Sequence, residues 1–376
     1  MIRLAFRNLF QNKTRLIISV GGVALALLLI LVLDAVVTGV QSQVTSYIDN
    51  SNADVIVSQE NVRNLHMAYS AIPASYETRV RNVAGVASVT PIHYLTNLVE
   101  VGEGRGVRAS NLAYVIGLPR EVNAGGPWHV VAGKALPSDG EAIIDRGVAV
   151  NSHVGIGDMV KILGEEFKIA GLSEGTATVS GGSVAFIAEK DFVRTRKDRG
   201  SVSFLFVRVR PNVSPAVIAA QIEKQVDKAT AQTREQFAER ERQVVNDMST
   251  DIVTIMNLIG FLIGVAVMAL TVYTATLARR AEYGVLKALG AQNAHVYGVV
   301  MAQAFISVVL GFGVGLGITL LLVALVPQMD LPITLQVSGA SLVKVASVSL
   351  VIAALSALLP IKQIAGLDPA RVFRGR

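Results

Sequence analysis

Hydrophobic positions follow two regimes along this chain. In the first they run together: Leu16 to Leu33, Ile252 to Ala278, Val296 to Met329 and Val345 to Ile361 contain no Asp, Glu, Lys or Arg. A bilayer core takes about 20 apolar helical residues, so the pattern predicts four spans, over 16–40, 252–278, 296–326 and 342–361. Pro327 marks where the third leaves the membrane, ahead of a short outer loop over 327–341. The first run is longer than the apolar core of a signal peptide and no small-residue cleavage site follows it, so it reads as a retained span. In the second regime apolar and polar residues interleave. "ADVIVSQ" (53–59), "ASVTPIHYLTNLVEV" (87–101), "VRASNLAYVIGL" (107–118) and "SFLFVRVRP" (203–211) read as strands, and 141–175 as a compact β module with Gly164 turning between "MVKIL" and "EFKIAGL". From Ser214-Pro215, an N-cap followed by proline, the pattern turns helical. It predicts a stalk over 214–251, as one long helix or two nearly coaxial ones, that runs into the second span.

The fold class that follows is an α-helical membrane protein with four transmembrane helices and a large α+β extracytoplasmic domain, 41–250, inserted between spans one and two. Residues 1–15 place Leu4, Phe6, Leu9 and Phe10 against Arg3, Arg7, Asn8 and Gln11, an amphipathic helix for the inner membrane surface.

Composition agrees with this picture, with 52% hydrophobic and only 16% charged residues. The net charge of +6 would suit nucleic acid, but its placement argues for an orientation signal. Arg3, Arg7, Lys13 and Arg15 precede span one; Arg279, Arg280 and Lys287 follow span two; Lys362, Arg371, Arg374 and Arg376 follow span four. Short basic segments stay inside, which predicts both termini, the tail 362–376 and the loop 279–295 in the cytoplasm of a cell whose inner membrane the chain crosses. No nucleic-acid partner is expected. With no cysteine, disulfide and thiol chemistry are excluded.

The loop after span two, "RRAEYGVLKALGAQ" (279–292), is a short charged amphipathic segment. Tyr283, Leu286 and Leu289 recur at intervals of three on one helical face, with Val285 flanking it, and Gly290 suits a helix C′ position. It is either an interfacial helix lying on lipid headgroups or a docking helix that enters a partner's groove with Leu286 and Leu289 as anchors.

The wider pattern carries a resemblance. "AFRNLFQNKTRLIISVGGVALA" at the start, the large insert after span one, "RRAEYGVLKALGA" after span two and "LLPIKQIAGLDPARVFRGR" at the end occur in an order and spacing that resemble the FtsX-like/MacB-type permeases of ABC transporters, the type VII exporter group. The third segment in that family commonly reads Arg-Arg-x-Glu-Ile-Gly-x-Leu-x-Ala-Leu-Gly-Ala, with Tyr283 here in the isoleucine position. The ending matches through Pro360, Ala365, Asp368 and Pro369. The resemblance implies that 279–292 couples to a cytoplasmic ABC ATPase, present in two copies, through Glu282, Gly284, Leu286, Lys287, Leu289 and Gly290. It further implies a second copy of the chain, and an outer domain divided into an α/β core and an inserted β lobe over about 120–200. A periplasmic adaptor or hydrolase and membrane lipids complete the expected partners.

Chemistry of its own is not expected. "VAGKAL" (131–136) lacks the hydroxyl residue and the distal glycine of a phosphate loop, so ATP and Mg belong to the partner ATPase and the chain binds no cofactor. The glycines of "GFGVGLG" (311–317) lie inside a span; Gly311/Gly315 and Gly313/Gly317, with Gly260/Gly264 in span two, form small faces for helix packing. The five histidines show no metal spacing and no metal is expected. In "NLHMAYSAIP" (64–73), His66, Met67 and Tyr69 are either a contact for a hydrophobic ligand or a packed edge of the domain. Asp34, near the outer headgroups, either gates a substrate entrance or is solvated there.

The expected function is that of a permease in an ATP-driven exporter that works by mechanotransmission on a hydrophobic or amphipathic cargo: haem, drug, peptide or lipid. Regulation of a cell-wall hydrolase, lipoprotein release, and a membrane sensor or adhesion protein without an ATPase are the alternatives.

Overall fold

The computed structural model of the chain describes residues 13–103, 106–175, 183–196, 200–289, 291–326 and 334–365. Most of the predicted 1–15 helix, Gly290, residues 327–333 of the predicted loop and the tail residues Asp368 and Pro369 lie outside the described residues. The chain divides into two compact units, one running up to Gly39 and resuming at Met248, the other covering Val40–Asp247. The elements in order are α1 (Lys13–Asp49), β1 (Val55–Gln59), β2 (Ile72–Pro73), α2 (Tyr76–Arg81), β3 (Val86–Glu103), β4 (Gly106–Leu118), β5 (Val130–Gly133), β6 (Glu141–Asp145), α3 (Arg146–Asn151), β7 (Met159–Ile162), β8 (Glu165–Ser173) and β9 (Ser183–Ala188). Then follow α4 (Glu189–Arg196), β10 (Ser201–Val202), β11 (Phe204–Val209), α5 (Pro215–Gln225), β12 (Ala229–Thr233), α6 (Arg234–Ala278), α7 (Arg280–Ala288), α8 (Asn293–Leu325) and α9 (Gly339–Ala365).

Inside Val40–Asp247, a ten-stranded mixed sheet runs β12-β1-β11-β3-β4-β9-β6-β8-β5, with β7 bridging β3 and β8. The β4–β9 and β6–β8 pairs are parallel; the other ladders are antiparallel. Alternation along the strands separates two cores. Ile56, Phe204 and Phe206 face Tyr47, Ile48 and Phe237 of α1 and α6. Val55, Val57, Leu205 and Val207 face the opposite side, against Val80 of α2 and Ile218 and Ile222 of α5. Successive strand side chains point to opposite faces, so each β-branched run serves both layers at once. The long β3 hands over partway along. Its start pairs with β11 and, from His93 on, it pairs with β4. Pro91 sits just before that second ladder begins, where a missing N–H costs nothing.

Two expectations change here. The lobe expected over about 120–200 also takes Val99 and Val101 of β3 and Ala113 and Val115 of β4 into its core, beside Ile144, Phe167 and Ile187. It therefore grows out of the main sheet. The stalk expected over 214–251 is not one helix. α5 does begin at Ser214-Pro215, but it stops at Gln225, Lys228 adopts φ +58°, and "ATAQT" becomes β12 beside β1. Ala229 and Ala231 are small enough to bury under Ile218 and Ile222, and that packing overrides their helical preference. α6 begins afresh at a capping box: the Thr233 Oγ1 accepts from the Gln236 N–H (3.2 Å), and the Gln236 Oε1 accepts from the Thr233 N–H (3.1 Å).

In the other unit, α1, α6, α8 and α9 are each long and apolar enough to cross a membrane. Their shared core includes Val23, Leu27, Met268, Val300, Val308 and Ile352. Close approach is made at glycines. A Cβ at Gly311 would lie 2.7 Å from Val23 Cγ1, and one at Gly315 would lie 3.1 Å from the Ala24 carbonyl. Gly260 and Gly264 take the same role towards Ile30 and Ile352. Gly313 and Gly317, expected to form a second small face, have nothing within 4 Å of where a Cβ would be. They point away from the packed side of α8, two residues out of phase with Gly311 and Gly315.

Candidate functional site

α7 lies between the second and third of the long helices. Arg279 precedes it, accepting the Tyr283 N–H at 3.1 Å, and its guanidinium reaches Glu282 at 3.3 Å. The Leu289 and Ala291 amides close the far end on Val285 (3.0 Å) and Leu286 (3.0 Å). Tyr283 is only 2% exposed and packs within the same core as Met268, Val272 and Val296, and Gly284 is buried beside it. Burial holds the Tyr283 hydroxyl above the usual phenol range, with Arg279 opposing and Glu282 adding to the shift. Outside, Val285, Leu286 and Leu289 stand 42%, 37% and 79% exposed, flanked by Glu282 and the half-buried Lys287. The expectation that Tyr283 shares a face with Leu286 and Leu289 is therefore corrected. A spacing of three drifts behind the 3.6-residue turn, so Tyr283 and Leu289 are about 120° apart. Tyr283 is the inward bolt and the leucines are the outward row. The helix also ends earlier than 295, since Asn293 to His295 open α8.

The second feature lies in Val40–Asp247, where the end of α1 runs beside the start of α6. Gln41 donates to Asn246 Oδ1 at 2.6 Å, the Asp49 carbonyl accepts from Arg234 (3.5 Å), and the Asp49 carboxylate lies 3.8 Å from Arg242. The stalk is thus a helix pair, and half of it comes from α1. Tyr47 roots that half in the domain. Its ring packs against Phe206 (5.7 Å) and Trp128 (6.3 Å), and its hydroxyl donates to the Gly125 carbonyl at 3.0 Å. Burial, with Tyr94 nearby, raises the Tyr47 phenol far above its ordinary pKa. The other half is rooted by Glu241, whose carboxylate is fully buried. Its Oε1 accepts the Leu65 N–H, and its Oε2 lies 2.6 Å from His66 Nδ1.

The expected ligand segment is placed accordingly. His66 is tied to Glu241 and stacks edge-on against Tyr114 at 4.9 Å, whereas Met67 and Tyr69 are 64% and 56% exposed. Asp34 is neither free nor merely solvated: Lys344 of α9 reaches its Oδ1 at 2.7 Å. Nearby, the Gln336 N–H donates to the Ala35 carbonyl (3.0 Å), so the segment before α9 lies along α1. Among the described residues, no group of three His, Cys, Asp or Glu side chains is placed to hold a metal.

Sequence reasoning passed over Tyr47, Glu241 and Lys344. The Thr233-to-Gln236 box could have revealed where α6 starts, but a buried glutamate inside "AERERQ" leaves no periodic trace.

Residues 16–225 match the model of the MacB-like periplasmic core domain, and residues 254–369 match that of the FtsX-like permease C-terminal domain. The chain belongs to the MacB/FtsX-type permeases of ABC transporters. An ABC transporter permease of Methanocaldococcus jannaschii, MJ1507, is 22% identical to this permease over 401 residues, covering 100% of this chain and 98% of the relative. Two solved structures are similar to the inserted domain. The periplasmic region of MacB from Actinobacillus actinomycetemcomitans is 11% identical with a TM-score of 0.39, covering 51% of this chain and 94% of that one. The extracellular domain of the YknZ transporter from Gram-positive bacteria is 11% identical with a TM-score of 0.35, covering 48% and 99%. As a permease of this type it is a multi-pass membrane protein, and its family works in general as dimers with an ATPase partner.

Proposed function

We propose that this permease is the force-transmitting subunit of an ATP-driven exporter. In this reading two copies cross the inner membrane with both termini and α7 in the cytoplasm, where two ATPase subunits bind and hydrolyse Mg-ATP. The permease itself catalyses no reaction. The observation that carries the reading is the two-sided character of α7. Val285, Leu286 and Leu289 offer an apolar row to a partner's groove, while Tyr283 is bolted into the helical core. A partner that grips the row therefore moves the helices rather than a loose loop. α6, unbroken from Arg234 to Ala278, and α1 carry the displacement to the paired stalk and the inserted domain, which acts on a hydrophobic or amphipathic cargo on the outer side. The spans carry few polar side chains, which favours mechanical work outside the membrane over a water-filled path.

The test is the double substitution Glu282→Lys with Leu286→Asp. Neither side chain is in the helical core, so the chain still folds and inserts. The expected result is loss of co-purification with the cognate ATPase and of substrate-stimulated ATP hydrolysis. Full retention of both would remove α7 as the joint.

A further inference from the structure

β3 has a gap along one edge. It pairs with β11 up to Ile92 and with β7 from Val99, and among the described residues no strand continues the ladder on that edge between Tyr94 and Leu98. At Tyr94 a side chain imitates the missing strand: Ser203 Oγ accepts the Tyr94 N–H at 3.0 Å and returns a bond to the Tyr94 carbonyl at 3.3 Å. Backbone groups of a strand alternate between its two edges, so the N–H and C=O of Thr96 point the same way as those of Tyr94. That edge opens into a cleft of about 230 Å³ whose other wall is the segment Leu65–Ser70. Met67 and Tyr69 are exposed along that segment, and the Arg196 guanidinium lies 5.6 Å over the Tyr69 ring.

We propose that this cleft is a binding site for an extended polypeptide segment, which pairs with β3 through Thr96 and seats one apolar side chain against Met67 and Tyr69. The occupant follows from the lining. A donor and an acceptor presented side by side on a strand edge match the backbone of another strand, whereas a lipid tail offers neither. The Arg196 charge at the rim adds a preference for an acidic residue beside the apolar one. The wall is also tied to the stalk. Leu65 and His66, which begin the segment, hold both oxygens of Glu241 in α6, so seating a strand there acts directly on that helix. The site stands apart from the ATPase-docking reading, because binding to it needs neither nucleotide nor partner.

The test uses the full chain in detergent and a fluorescein-labelled peptide of alternating valine and threonine with one glutamate, followed by anisotropy. The expected result is saturable binding that is lost when the same peptide is N-methylated at alternate amides. Thr96→Pro removes the outward N–H without touching the β4 ladder, much as Pro91 already sits in β3, and should weaken binding about tenfold. Met67→Ser should weaken it less. The N-methylated comparison requires no variant, so it decides the matter even should Thr96→Pro misfold. Equal binding of the methylated peptide, no peptide binding, or occupation of the cleft by Nile red in preference to the peptide would overturn the proposal.

Discussion

The two units of this permease pack their helices by opposite means. In the membrane unit contact is reached by taking side chains away: α8 meets α1 where Gly311 and Gly315 leave room for Val23 and Ala24. In the inserted unit contact is reached by filling space, with Tyr47 of α1 wedged among Trp128, Phe186 and Phe206. The surroundings explain the difference. Lipid is as apolar as leucine, so helices there gain from close van der Waals approach, whereas in water an aromatic ring gains by leaving the solvent. α1 is subject to both rules along its length, with Val23 and Ala24 set against the glycines of α8 at one end and the Tyr47 plug at the other.

The largest effect is expected at the plug. Tyr47→Ala removes the ring and leaves the Gly125 carbonyl without its donor, at a cost of about 3–5 kcal/mol. The chain contains a single tryptophan, Trp128, and it sits beside this ring, so thermal unfolding followed by its fluorescence reads the site directly. Loss of less than about 1 kcal/mol would mean the plug is ornamental. A smaller effect, about 1–3 kcal/mol, is expected from Gly311→Leu, which forces a side chain into Val23, while Gly313→Leu two residues away should leave the unfolding of the chain unchanged. Equal losses from the two would show that α8 tolerates bulk on either face and break the contrast between the units.

How much of this was legible depended on whether the physics was local. Four uninterrupted apolar runs and the alternating strands of β1, β3, β4 and β11 can be read from neighbouring residues alone, and the structure has them where they were expected. The side of α7 that faces inward was not legible, because a spacing of three gives a stripe but no sign of which edge of it is buried. The partner of Asp34 was hidden for a different reason. Lys344 lies 310 positions away, just outside the last apolar run, and nothing in the sequence joins them. Glu241 likewise looks like one more charge on a solvated helix until the loop at Leu65 and His66 folds over it. The functional roles assigned to α7 and to the cleft rest on those longer-range placements.

The smallest effect separates a cap that looks right from one that is made. Ser214 followed by Pro215 carries the stronger sequence signal for a helix start, yet its side chain makes no capping hydrogen bond in α5. Thr233 carries a weaker signal and closes a reciprocal box with Gln236. Thr233→Ala should therefore cost about 1 kcal/mol, and Ser214→Ala only a few tenths, in the same Trp128 unfolding measurement. The difference matters beyond stability, because the box fixes where β12 ends and the stalk half of α6 begins. With the box removed, amide exchange in the first turn of α6 should quicken while α5 stays protected. Faster exchange in α5 as well would mean that 214–251 behaves as one cooperative rod after all, with β12 a passive break in it.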